Sequence, residues 1–282
     1  MGIRKHIDHL KAIVKFNLKI ETRYPISYMA AFFNMFFWLF SFSILVLMLS
    51  RDPSGGEVIG NIIMWGFAAY IVFQGLFGEV AFGLIRLQRR GTLEQIMLTP
   101  ISPWILPLGL AGFTMIINML LVMIAILMFS TLMKVPIIIK EPLLGLLAGF
   151  LFFIMAYGLA LIYAGWAIKA KRSGWALINA IEMIVILFCG VFYSFRTAPH
   201  RILMISRMIP LSYAIDLLRT SIMGIEPELV PTTITILDTK LSASQFEWIL
   251  VSTLSILILL VGYLYLMRVI KDAKKKGYLA TY

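Results

Sequence analysis

A chain of 282 residues with 61% hydrophobic and only 14% charged side chains lies far from a soluble domain, where roughly 25% of residues are charged. Its mean hydropathy of +0.92 indicates a polytopic membrane protein and excludes a disordered chain, a collagen-like chain and an ordinary cytosolic enzyme. The net charge of +11 does not argue for nucleic acid, because the basic residues sit beside apolar runs, where anionic lipid and topology account for them.

In chain order, residues 1–24 come first. Ile3, Ile7, Leu10, Val14 and Leu18 recur about one helical turn apart, with Arg4, Lys11, Lys15 and Lys19 to one side. That pattern predicts an amphipathic helix lying in the inner interface. It is not a signal peptide, since the stretch has no uninterrupted apolar core. Six apolar runs of spanning length follow, near 25–50, 58–85, 103–133, 142–168, 175–193 and 246–267. Ser102-Pro103 offers an N-cap with proline at the first helical position. With the N-terminus inside, the inner segments hold 17 of the 25 Lys and Arg residues and the outer segments 8, so both termini are expected in the cytoplasm.

Two further segments carry detail. The cytoplasmic loop 86–102 contains Gly91, which permits a sharp turn, and Thr92 and Gln95 at capping-box spacing. Glu94 falls in the first turn, where the helix dipole favours an anion, and Pro100 stops the helix two turns later. A short, separately capped helix is expected, with an apolar ridge of Leu93, Ile96, Met97 and Leu98 that must meet lipid, the chain's own bundle or a soluble partner. Residues 194–224, broken by Pro199 and Pro210 and carrying Arg196, Arg201, Arg207, Asp216 and Arg219, read as two short helices that dip in from the outer face and return. A plain extracellular loop with amphipathic helices is the other reading. Residues 226–244 show no strong period and are expected as an outer loop.

Familiar catalytic patterns are missing: no P-loop, no G-x-S-x-G and no H-E-x-x-H. His6, Asp8 and His9 share a region of the first helix, where a solvated interfacial face explains them better than a metal site. His200 stands alone, and the single cysteine, Cys189, permits no internal disulfide.

The run Arg89-Arg-Gly-Thr-Leu-Glu-Gln-Ile-Met-Leu-Thr-Pro-Ile-Ser-Pro103 resembles the characteristic loop of ABC-2 type ABC transporter permeases, a family that includes drug, polysaccharide and lipid exporters. A second match, Cys189-Gly-Val-Phe-Tyr-Ser194, then Pro199, then Ile209-Pro-Leu-Ser-Tyr-Ala-Ile-Asp-Leu-Leu-Arg219, resembles that family's end of the fifth span and its outer helix. The resemblance implies an all-α integral membrane protein: six transmembrane helices (25–282) after the interfacial helix (1–24), with re-entrant outer helices between spans five and six. It also implies a permease that moves a hydrophobic or amphipathic substrate (drug, lipid or lipid-linked glycan) outward across a prokaryotic inner membrane. Two copies of a separate ABC ATPase subunit would carry ATP and Mg, and this chain would bind no cofactor and hydrolyse nothing. A second permease protomer, identical or related, would complete the path.

Under the resemblance, Arg89, Arg90, Gly91, Thr92, Leu93, Glu94 and Gln95 are implied as the ATPase-coupling element. Phe192, Tyr193, Pro199, Pro210, Tyr213, Asp216 and Arg219 are implied as the outer gate, with Asp216 and Arg219 three apart and able to pair as a solvated couple. Glu79, Glu182 and Asn179 are polar residues inside spans, where they are costly. They mark the path or serve interhelical hydrogen bonding, as do Asn34, Gln74 and Asn118. Glu79 is expected to pair with an inner arginine such as Arg86. The competing function, a channel or secondary transporter needing no ATPase, would require more ionisable residues deep in the spans than Glu182 supplies.

Overall fold

The structure is a computed structural model that describes residues 3–21, 56–89, 91–98, 104–133, 135–170, 174–230, 233–236 and 239–276, with helical positions 26, 29, 30, 33, 34, 36–38, 40 and 41. The helices are α1 (Ile3–Glu21), α2 (Gly56–Arg89), α3 (Thr92–Leu98), α4 (Ile105–Met133), α5 (Pro142–Ala170), α6 (Gly174–Phe188), α7 (His200–Met208), α8 (Pro210–Met223) and α9 (Ala243–Lys276). Four of them, α2, α4, α5 and α9, are long and apolar enough to cross a membrane. The protein is therefore an α-helical membrane protein. The first expected span, 25–50, falls mostly outside the described residues.

α2 is the central helix, packed against α4, α5 and α8. Phe73, Leu76, Val80 and Leu84, spaced three or four apart, are completely buried, which is the periodicity of one helix face turned into a core. The outward faces of α5 and α9 show the opposite. Leu143, Leu146 and Phe150 on α5, and Ile256, Leu257, Leu260 and Leu264 on α9, are exposed. An apolar face of that extent suits lipid rather than water. α5 and α9 form the most extensive helix pair. A side chain at Gly158 would strike the backbone of Leu259 at 2.7 Å, and Gly262 closes on Gly158 in turn. The two backbones touch because neither glycine has a Cβ, the arrangement that membrane helices use to gain dispersion contact.

The bundle has two distinct ends. At one lie α3, the start of α4, the last turns of α9, and α1. Leu10, Ile13 and Val14 of α1 are partly buried while Lys11, Lys15 and Lys19 are exposed, and Ile13 packs on α4 at Gly109. At this end Lys169 stands 5.1 Å over the ring of Tyr265. The other end carries α7, α8 and the connection between α4 and α5. There Asn61, fully buried at the start of α2, donates to the carbonyls of Glu57 (2.9 Å) and Pro136 (2.8 Å) and accepts the Ile138 N–H (3.0 Å). The same connection joins α8, as the Lys140 N–H donates to Ile222 at 2.8 Å.

Two expectations gain detail. Within the fifth expected span, 175–193, α6 runs over Gly174–Phe188, 15 residues or about 22 Å at 1.5 Å per residue, and residues 189–193 turn rather than continue the helix. Gly190 ends it, with φ of 67° and the ring of Phe195 pressed where a Cβ would stand. Residues 226–244 are not simply loop. Thr233–Ile236 and Thr239–Ser242 pair antiparallel, Thr233 opposite Ser242 and Ile236 opposite Thr239. The alternating Thr-Ile-Thr-Ile run and the two-residue connection 237–238 are the hairpin signals that the sequence reading passed over.

Candidate functional site

The site is built in three tiers along α2. At the end of the bundle that holds α1, Gly91 takes φ of 68° and its N–H donates to Gln88 at 3.0 Å, turning the chain sharply out of α2 and into α3. α3 starts at Thr92 and ends at Leu98, two residues before Pro100. Two members of the apolar ridge of α3 turn into the chain's own bundle: Leu93 is fully buried in the central core and Ile96 packs against it. Thr92 is partly buried and Gln95 exposed. The side chains of Arg89, Glu94, Met97 and Leu98, and the whole of Arg90, lie outside the described residues.

The middle tier is a cavity of about 800 Å³, within the size range of small-molecule sites. α2 contributes Phe67, Tyr70, Gln74 and Glu79, α4 contributes Phe113 and Asn118, and α6 contributes Asn179 and Glu182. Ala30, Asn34 and Trp38 line it from the first run. Glu79 accepts from Arg86 at 3.0 Å, the pairing expected from the sequence. Asn118 is 4% exposed and donates to the Val72 carbonyl at 3.5 Å, so this amide links α4 to α2. Asn179 is exposed and Glu182 partly so, both open to the cavity. No Lys, Arg or His lines it among the described residues. Phe192 closes its outer side, its ring 5.8 Å from that of Phe67.

The tier at the opposite end of the bundle is α7 and α8. Pro199 precedes α7, Ile209 is extended (φ −97°, ψ 113°), and Pro210 opens α8 at its first turn, where a missing N–H costs nothing. Gly224 in the left-handed region ends α8. Tyr213 donates to the Arg207 carbonyl at 3.1 Å and Tyr193 to that of Leu187 at 3.0 Å, tying α8 to α7 and the turn after α6 back to α6. Ser206 donates to the Phe188 carbonyl at 2.6 Å.

Asp216 and Arg219 are not a solvated pair. Each is 1% exposed, and among the described residues they form no direct ion pair. Asp216 accepts the N–H groups of Glu228 and Leu229, both at 2.9 Å. Arg219 donates to the carbonyls of Tyr193 (3.2 Å) and Gly190 and stands 6.0 Å over the Phe195 ring. Burial raises the Asp216 carboxyl above its ordinary range, against the pull of those N–H donors and of Arg219. A guanidinium buried this deeply needs carbonyl partners, and the turn at 190–193 supplies them.

Two residues here, Glu228 and Glu247, carry no sequence motif, and Ser194, at the end of the Cys189–Ser194 motif, acquires its role only from the fold. Glu228 accepts from Ser194 (2.6 Å) and the Phe195 N–H (2.7 Å) and stands 3.7 Å from Arg196. Ser194 is its main side-chain partner, and Glu247 of α9 is completely buried nearby. The available signal was an acid directly after Glu226-Pro227, and an acid at the very start of a span, where water would have been the default partner.

No individually curated protein matches the chain significantly. The family model for the ABC-2 type transporter matches residues 8–223, a stretch that holds α3, the cavity-lining helices, α7 and α8. With both motif regions, the cavity between them and more than half of the sequence inside that match, the chain belongs to the ABC-2 type transporter family.

Proposed function

We propose that this permease is the membrane subunit of an ATP-driven exporter, carrying a hydrophobic or amphipathic cargo outward with energy from a separate ABC ATPase. Two ATPase copies serve two permease protomers in a prokaryotic inner membrane. Six spans and cytoplasmic termini complete the arrangement, the short α6 crossing together with the turn that follows it. The observation that carries the reading is the α3 helix. It hangs from the inner end of α2 through the buried Leu93, so a push on its exposed side, where Gln95 lies, is delivered to the helix that lines the cavity.

The coupling steps follow from that linkage. The Gly91 turn fixes the angle between α2 and α3, and Leu93 makes the two move together. Displacement of α2 alters the cavity through Tyr70, Gln74 and Glu79 and reaches the outer end at Asn61. Aromatic rings and amides in the cavity suit a cargo with an apolar body and a few polar groups. The absence of a P-loop in this chain agrees with ATP and Mg residing on the partner.

Purification from native membranes in gentle detergent, with intact-complex mass, tests this. A P-loop ATPase recovered at one copy per permease, two of each, is the expected result. A stable, crosslink-confirmed assembly without an ATPase overturns it and favours a channel or secondary transporter.

A further inference from the structure

α8 and α9 meet at two acids. Glu247, five residues into α9, is 0% exposed and neither of its carboxyl oxygens receives a donor. Its carboxyl lies against that of Asp216, itself 1% exposed. Two carboxylates cannot donate to one another, so with both ionised the contact is a repulsion between buried charges. With one proton between them it becomes an O–H···O⁻ bond, the short and strong kind.

The surroundings decide between these states. The ionisable neighbours of Asp216 are Arg219 on its own helix, Glu228 from the loop after α8, and Glu247 from α9. Tyr213 faces both acids and Arg207. Arg219 turns its guanidinium to the Tyr193 and Gly190 carbonyls, and Arg196 stands by Glu228. Arg207 is exposed and reaches the Leu229 carbonyl at 3.3 Å. Three carboxyls thus share two committed guanidiniums, which leaves one negative charge on a buried pair of acids. Removing it takes one proton.

We propose that Asp216 and Glu247 form a proton-binding site that holds a single proton between the outer helix α8 and the last span α9, latching the two together. Opening the outer end admits water to both carboxyls; the O–H bond of the shared acid breaks, its proton passes to the exterior water, and both carboxylates are hydrated. Closing takes one proton back. The site's role as a latch on the exit rests on the exporter reading above, whereas the shared proton itself does not.

Infrared spectroscopy of the full chain in liposomes tests it. A carboxylic-acid C=O stretch is expected at neutral pH in the wild type and in Glu182→Gln, and is expected to disappear in Glu247→Gln. A wild-type spectrum without that band, or one that Glu247→Gln leaves unchanged, overturns the proposal. The thermal midpoint gives a second readout. The folded pair binds a proton that the unfolded acids have released, so wild-type stability falls as pH rises from about 7 to about 9. Glu247→Gln, with no proton to lose, is expected to remove most of that slope, and Asp216→Asn to do the same. Equal slopes in wild type and both variants overturn the shared proton. Loss of ATPase partnership with the band intact would instead strike the exporter reading alone.

Discussion

Asn61 shows how much of this molecule's order depends on single polar groups. Its side-chain amide satisfies the Pro136 carbonyl and the Ile138 N–H in an extended connection that has no ladder of its own. Asn61→Ala leaves both without this partner, in a part-buried connection beside the fully buried position 61. An unsatisfied buried group costs about 1–3 kcal/mol, so the variant should lose stability in that range, read as a lowered thermal midpoint of the detergent-solubilised protein. Local hydrogen exchange should speed up in 135–141 before it does so in α2. Uniform loosening of the whole bundle would show that the amide is not a local clamp. This role was not legible in the sequence, where Asn61 is a polar residue at the edge of an apolar run like any other. The Glu79–Arg86 pair was legible, because seven residues along a helix is two turns and brings a carboxylate and a guanidinium onto one face. Asp216 and Arg219 were legible as important and misread as solvated, since three-residue spacing reveals a shared face but not what covers it.

At the scale of elements, the breaks were easier to read than the destinations. Pro199 and Pro210 stand at the starts of α7 and α8 because a ring without an N–H fits only there. The start and end of α3 follow from Gly91 and Pro100 for equally local reasons. Where the ridge of α3 would go was open among three surfaces, and Leu93 went to the chain's own core, a choice made by tertiary packing that no local pattern encodes. The hairpin at Thr233–Ser242 was missed although its alternation is visible, because its strands are only four residues long. A prediction belongs to the α2–α3 turn. A Cβ at Gly91 meets nothing within 4 Å, so a substitution there suffers from backbone conformation alone. The left-handed region costs an L-residue about 1–2 kcal/mol and a β-branched one more, whereas asparagine tolerates it. Gly91→Val should insert normally yet cut substrate-stimulated hydrolysis by the partner ATPase about tenfold, the effect of a loss near 1.4 kcal/mol. Gly91→Asn should retain most of it. Equal activity in both variants would remove the turn from the coupling path.

The whole molecule is a set of long helices whose orientation rests on charge rather than on packing. The same bundle could be drawn either way up, and the fold alone is indifferent. What breaks the symmetry is that Arg86, Lys169, Lys271, Lys274 and Lys275 gather at the end that holds α1 and α3, and inner loops retain Lys and Arg during insertion. The opposite end has its own cations, among them Arg219, buried among carbonyls, and Arg196 beside Glu228. Single-cysteine labelling with a membrane-impermeant maleimide checks the orientation. The native Cys189 is fully buried and contributes little background. Arg201→Cys, on an exposed face of α7, should label in intact spheroplasts. Lys275→Cys, at the end of α9, should label only after permeabilisation. The reverse pattern would put α3 outside, out of reach of any cytoplasmic ATPase, and would sink the exporter reading together with the topology. Labelling of both positions in intact cells would place α7 and the last turn of α9 on one side of the membrane, which is incompatible with α9, 34 residues and about 50 Å of helix, crossing the membrane away from the α7 end.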